Sequence, residues 1–377
     1  MSRFFDLVSK AAREMGGYNP HPPAQPARQF QPQLIRLDSN ENPFGPSPRA
    51  IEAMRAALTR AHAYPDDDCT ELRRKLAAHH GLPPEHVLIT AGSTALLSLL
   101  CQTFLVPGLN AVTSERSFIV YSLAVHATGA QLIETPTRND GFDLEAILKA
   151  IDANTRLVFL ANPNNPTGTM ISESVIDEFL SRVPGHVVVV LDEAYYEFAV
   201  HLASVGQVRY PDSVEYLRRG ASVVVLRTFS KAHGLAGLRI GYGLGPAELL
   251  TYCARMRSTF SVASVAQSAA IAAIDDRSHI ERVVANNTVQ AKVLAGGLSD
   301  LGYRVVPTCA NFVYCDVAED ASLFADRLLR EGVSVRPLGA WGAPNCIRVS
   351  IGTPEQNQFF LDAVRRASAE QVSGFRA

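Results

Sequence analysis

Apolar residues in this chain gather into short runs bounded by glycine, proline, asparagine or aspartate, and the runs alternate with stretches of helical period. Seven runs read as strands: 87–90, 111–115, 131–135, 157–161, 187–192, 222–228 and 240–244. The run at 187–192 is four valines, a leucine and an aspartate, with no polar alternation, so it predicts a strand buried on both faces. Between the strands, 93–105, 144–151 and 172–182 carry helical spacing. This rhythm predicts an α/β fold, a mostly parallel seven-stranded sheet covered by helices on both faces. Ligands in such sheets bind beyond the carboxyl ends of the strands.

The flanks follow a different pattern. Residues 17–33 are rich in proline and glutamine without periodicity, and predict an extended arm within residues 1–33. A short strand then leads into the loop SNENPFGPSP (39–48), after which Ser47 and Pro48 open a helix. In 64–81, Asp68 and Glu71 have capping-box spacing before an amphipathic helix that Gly81 ends. Asp66, Asp67 and Asp68 lack the alternating ligand spacing of a calcium loop, and no metal is expected. Residues 246–278 read as mostly helical. A polar helix over about 279–300 is followed by strands at 303–306, 311–316, 333–336 and 346–351. That pattern predicts a smaller α+β domain. The expected division is a large domain over 49–275 and a small one from 34–48 with 276–377.

Composition narrows the function. A net charge of −2 offers no basic field for nucleic acid or an anionic membrane, and no apolar run is long enough for a membrane span. The N-terminus lacks a signal-peptide core. Six scattered cysteines without CxxC pairs read as free thiols of a cytoplasmic protein. GYGLG (241–245) has the glycines of a dinucleotide fingerprint, but they lie inside a strand and open no helix.

Chemistry collects at the strand ends. Gly92, Ser93 and Thr94 begin a helix and offer free N–H groups and hydroxyls to a phosphate, although such residues cap most helices. Asn165 sits in the rigid turn NPNNPTGT (162–169) as a fixed side-chain donor. Asp192 ends a buried strand and needs a partner, which a protonated ring nitrogen would supply. Phe118 is either a stacking ring or a core phenylalanine. The strand 222–228 delivers Thr228, Phe229, Ser230 and Lys231, with Arg239 beyond a glycine-rich turn. An exposed loop lysine is the plain reading of Lys231. A lysine among hydroxyls with an arginine nearby also suits covalent capture of a carbonyl beside a phosphate.

Taken together, Gly92-Ser93-Thr94, Asn165-Pro166-Thr167-Gly168, Asp192-Glu193-Ala194-Tyr195, Ser230-Lys231 and Arg239 resemble the class I/II aminotransferases of pyridoxal phosphate (PLP) fold type I. With SNENPFGPSP (39–48), TFSKAHGLAGLRIGYG (228–243) and IRVSIGT (347–353), the likeness is greatest to histidinol-phosphate aminotransferases, over about residues 34 to 355. The resemblance implies that Lys231 carries PLP and shuttles the proton, and that Asp192 pairs with the ring nitrogen. It implies that Asn165 and Tyr195 bond the phenolate oxygen and that Phe118 stacks on the ring. Ser93, Thr94, Thr228, Ser230 and Arg239 would hold the phosphate, with Tyr64 reaching in from the other subunit of a homodimer. Arg348 would clamp the substrate anion, Arg336 would be the second arginine for phosphate-bearing substrates, and Tyr18 and Asn42 would complete the substrate site.

Some positions depart from the family pattern. The arm lacks Tyr-x-Pro-Gly, and Arg116 and Trp341 stand where proline and tyrosine are expected. These changes lie near the substrate, so the expected reaction is transamination between an amine and a 2-oxo acid. The amino donor stays open between histidinol phosphate, with 2-oxoglutarate as acceptor, and an aromatic or specialised amino acid. A decarboxylase of the same fold fits SKAHGLAGLR and DEAYYEF less well. A PLP-binding transcription regulator would need a basic DNA-binding domain that the chain lacks.

Overall fold

The computed structural model describes residues 7–14, 34–206 and 208–374. The large domain is built on seven strands: β1 (Val87–Thr90), β2 (Asn110–Ser114), β3 (Gln131–Thr135), β4 (Thr155–Ala161), β5 (Val188–Asp192), β6 (Val223–Thr228) and β7 (Gly241–Leu244). Their spatial order is β1-β7-β6-β5-β4-β2-β3. Neighbours from β6 through β3 are parallel, and β7 runs antiparallel to both β1 and β6. The sheet is therefore mostly parallel, as its uninterrupted apolar strands require. Alternate residues of one strand serve opposite faces: Val189 and Leu191 join one core cluster, and Val190 joins the other.

The smaller domain has an antiparallel sheet of β8 (Arg304–Val306), β9 (Phe312–Asp316), β10 (Arg336–Leu338) and β11 (Ala343–Ser350), in the order β8-β9-β11-β10. Helices Arg277–Asp300 and Pro354–Gly374 pack on it through Leu294, Leu298, Phe360 and Val364. The segment predicted as one strand at 333–336 serves two sheets. Val333 and Ser334 pair with Ile35 and Arg36, whereas Arg336 pairs with Arg348. The chain entering at residue 34 is thereby tied to the small domain, and Leu37 lies in its core.

One cap differs from expectation. The helix Thr70–His80 is not capped by Asp68; Cys69 occupies the cap position in a left-handed conformation, φ 49°. That turn lets the Asp66 carboxylate reach back, accepting from Thr70 N at 2.8 Å and Asp68 N at 3.1 Å. Asp67 instead pairs with Arg257 at 3.0 Å. Gly81 ends the helix in the left-handed region as expected. The helix Pro48–Leu58 has Ser47 as N-cap, its hydroxyl accepting from Ala50 N at 3.2 Å. The expected arm at 17–33, with Tyr18, lies outside the described residues. All six thiols are free. Among the described residues, no helix is long and apolar enough to cross a membrane.

Candidate active site

The carboxyl ends of the parallel strands open into a cavity of about 310 Å³, closed on its far side by the loop 39–41 and by β10 and β11. At one end lie Ser93, Thr94, Thr228, Ser230 and Arg239. The helix Ser93–Phe104 points its N-terminus here, supplying free N–H groups and the positive end of its dipole. Two glycines allow the approach. A Cβ at Gly92, φ 83°, would stand 2.7 Å from Arg239 Nη2, and one at Gly241 would stand 2.5 Å from Ser93 N. Thr228 Oγ1 donates to Ser230 Oγ at 2.9 Å and accepts from Ser230 N at 3.1 Å, which fixes both hydroxyls. N–H groups, hydroxyls and one guanidinium make this an anion site.

Asp192, Phe118, Asn165 and Tyr195 line the same cavity. Asp192 is buried at the end of β5; its Oδ2 accepts from Tyr121 Oη at 3.0 Å, and its Oδ1 has no hydrogen-bond partner. Burial pushes its pKa up to about 6, against the bonds from Tyr121 and the Ala194 N–H, with the Glu193 charge adding to the rise. A buried carboxylate oxygen without a donor calls for a cationic or N–H partner from a ligand. Tyr195 Oη accepts from Asn40 Nδ2 at 2.9 Å, and Asn165 Oδ1 accepts from Arg348 Nη1 at 2.6 Å.

Lys231 Nζ donates to Ser39 O at 3.0 Å. Burial pulls its pKa down to about 7, and the charge of Arg348 pulls the same way; Glu41 opposes and Arg239 adds. The amine is therefore a nucleophile near neutrality.

Arg336 and Arg348 face each other as cross-strand partners, both buried, and both donate to Asp38 O, at 3.3 and 3.1 Å. Like charges opposed across a sheet repel, and burial strengthens the repulsion. Asp38 supplies part of the counter-charge. Burial raises its pKa, but bonds from Ser334 and Ser39 and the charges of Arg336 and Arg36 outweigh that and hold the carboxyl below its usual value. Two such cations in one cavity wall make a site for a dianion or two carboxylates.

Two expected residues fall elsewhere. Asn42 does not line the cavity: its Nδ2 donates to Ala232 O at 2.8 Å and its Oδ1 accepts from Phe44 N at 2.9 Å, so its amide braces the loop. Asn40, two residues earlier, takes the cavity position. Its left-handed backbone, φ 55°, is one that asparagine tolerates well, and its N–H donates to Ser350 Oγ at 2.7 Å. Tyr64 is 82% exposed and stacks on Phe260, away from its own chain's cavity. Sequence reasoning also passed over Tyr121, which at three residues from Phe118 looks like any core tyrosine. It passed over the Glu193–Arg227 pair too, at 2.8 Å beneath the ends of β5 and β6. A carboxylate and a guanidinium at adjacent strand ends were the available signal.

The lowered pKa of Lys231 gives a direct expectation for the ligand-free protein. Its amine is protonated below about pH 7 and neutral above it, so acetylation of Lys231 by trace acetic anhydride should rise through a midpoint near 7. A midpoint at the ordinary lysine value of about 10.4 would show that the cavity does not perturb it. Peptide mapping reads the result.

Comparison with known proteins bears on the same residues. The family described as aminotransferase class I and II matches residues 32–364. A histidinol-phosphate aminotransferase 2 of Pseudomonas aeruginosa is 43% identical over 98% of this chain and all of its own length. A histidinol-phosphate aminotransferase of Moorella thermoacetica is 40% identical over 96% of this chain and 94% of its own. The crystal structure of histidinol-phosphate aminotransferase from Sinorhizobium meliloti, in complex with pyridoxal-5'-phosphate, superposes with a TM-score of 0.89 at 29% identity, covering 97% of this chain and 99% of that one. With the match running through every strand end that builds the cavity, this chain belongs to the class I and II aminotransferases.

Proposed function

We propose that the protein is a PLP-dependent transaminase that moves the amino group of histidinol phosphate to 2-oxoglutarate, yielding imidazole acetol phosphate and glutamate. The observation that carries the substrate is the pair Arg336 and Arg348, buried opposite each other in the cavity that holds Lys231. The names of the relatives support the same reading.

The residues present fit PLP. The unpartnered Asp192 Oδ1 suits a protonated ring nitrogen, and the Gly92 cradle with Arg239 suits a phosphate. Ser93, Thr94, Thr228, Ser230 and Arg239 would hold that phosphate, Asn165 and Tyr195 the phenolate oxygen, and Phe118 the ring face. When bound, PLP supplies an aldehyde that captures amines and a ring that withdraws electrons from the substrate carbon. Lys231 Nζ takes the proton from the substrate carbon that bears nitrogen, and burial, which disfavours its charged form, suits it to that role. Arg348 and Arg336 fix the anionic end of the substrate, which orients that C–H bond.

A second reading, an aromatic or specialised amino acid as donor, is favoured by Trp341, which lines the same cavity as both arginines. We further propose a cytoplasmic homodimer in which the exposed Tyr64 reaches the partner's phosphate site. The large domain would span 49–275 and the small one 34–48 with the chain from 276 onward, since Leu37 packs in the small core.

Three measurements check this. Borohydride treatment of the yellow protein should fix a pyridoxyl group on the peptide containing Lys231, and labelling of a different lysine would remove that assignment. Sedimentation at assay concentration should give a dimer, and a fully active monomer would exclude shared sites. For the donor, Arg336→Ala should lower kcat/KM for histidinol phosphate by about 30- to 1000-fold, the equivalent of about 2–4 kcal/mol for a lost buried charge contact. Wild-type preference for phenylalanine, unchanged by Arg336→Ala, would establish the aromatic reading instead.

A further inference from the structure

Tyr121 is bonded to Asp192 but does not itself line the cavity. It sits in the first turn of the helix Val120–His126, 1% exposed, with its ring stacked on Phe159 at 4.8 Å between centroids and 10° between planes. Its ring also lies perpendicular to that of Phe118, at 5.7 Å between centroids and 90° between planes. One side chain thus touches both Asp192 and Phe118, and both of those line the cavity. We propose that Tyr121 is a positioning residue for the cofactor ring: its hydroxyl anchors one oxygen of Asp192 and leaves the other for the ring nitrogen, while its ring, perpendicular to Phe118, sets the angle of that side chain.

The inference rests on the PLP reading and follows from three constraints. A carboxylate on a single rotatable bond presents either oxygen equally well. A donor on Oδ2 removes that freedom and leaves Oδ1 as the one without a partner. A hydroxyl donating to a carboxylate also favours the ionised form, which Asp192 needs because burial drives it toward protonation. The other groups acting on Asp192 do not replace that bond. The Ala194 N–H favours the ionised form less strongly than Tyr121 does, and Glu193 is a negative charge already paired with Arg227 at 2.8 Å. Finally, Tyr121 is locked by its stack on Phe159, so its hydroxyl cannot swing toward solvent.

Tyr121→Phe removes the hydroxyl and keeps the stack. We expect the affinity of the full chain for PLP to fall about 10-fold. The affinity is read by titrating stripped protein with PLP while following the fluorescence of Trp341, the single tryptophan, which lies in the cavity wall. We also expect the pH midpoint of the bound cofactor's visible absorbance to move upward, since a less firmly ionised Asp192 supports a ring proton less well. If Tyr121 acts through Asp192, the same change made in Asp192→Asn should alter either readout by less than about 2-fold. Equal effects in both backgrounds would reduce Tyr121 to a packing residue and overturn the proposal, as would wild-type affinity and spectrum in Tyr121→Phe. A wild-type protein that binds no PLP would overturn the parent reading, and this one with it.

Discussion

Charge kept out of water is what the rest of this structure is arranged to manage. Asp192, Lys231, Arg336 and Arg348 lie buried or partly buried in one cavity, and an isolated charge in such a place strongly prefers to neutralise. The shifts run in the directions that burial dictates, upward for Asp192 and downward for Lys231. The surrounding polar groups moderate the shifts without abolishing them. Tyr121 and the Ala194 N–H hold Asp192 at about 6, and Asp38 shares its backbone carbonyl between two guanidiniums. The outcome is an amine that is easily deprotonated beside two guanidiniums in one cavity wall.

The architecture makes this possible because different elements each bring one piece. The central strands of the large sheet end in Asp192 and Thr228, which the Glu193–Arg227 pair ties together from below. The small domain brings the two arginines on an antiparallel pair, so that neither can withdraw from the other without breaking the ladder. The loop 39–41 joins the halves: Ser39 O takes the Lys231 amine, and Asn40 is held by Ser350 and Asn311. Lysine and arginines are therefore positioned through the same short stretch of chain.

Much of this was legible in the residues themselves. Apolar runs located all seven strands of the large sheet, most plainly the central ones, where a strand buried on both faces leaves no other pattern. The strand-end residues were legible for the same reason, since a polar side chain straight after such a run has only a pocket to occupy. What escaped was set by tertiary geometry. The choice of Asn40 over Asn42 depends on a left-handed backbone that only the folded loop imposes. The cap at Asp66 rather than Asp68 depends on Cys69 taking a similar conformation. Tyr121 carries no mark in the sequence that separates it from a core aromatic.

The contact between Gly92 and Arg239 has a consequence for how such a chain can change over time. The space a Cβ at position 92 would need is filled by the guanidinium of Arg239. Substitutions at the two positions are therefore not independent, and their effects depend on the order in which they occur. A side chain gained first at 92 pushes the guanidinium out of its place in the anion site, while loss of the arginine first removes that clash and leaves only the strain of a left-handed backbone, φ 83°. The glycine is in that sense held in place by a residue 147 positions away in the chain, an epistatic lock between a helix start and a turn.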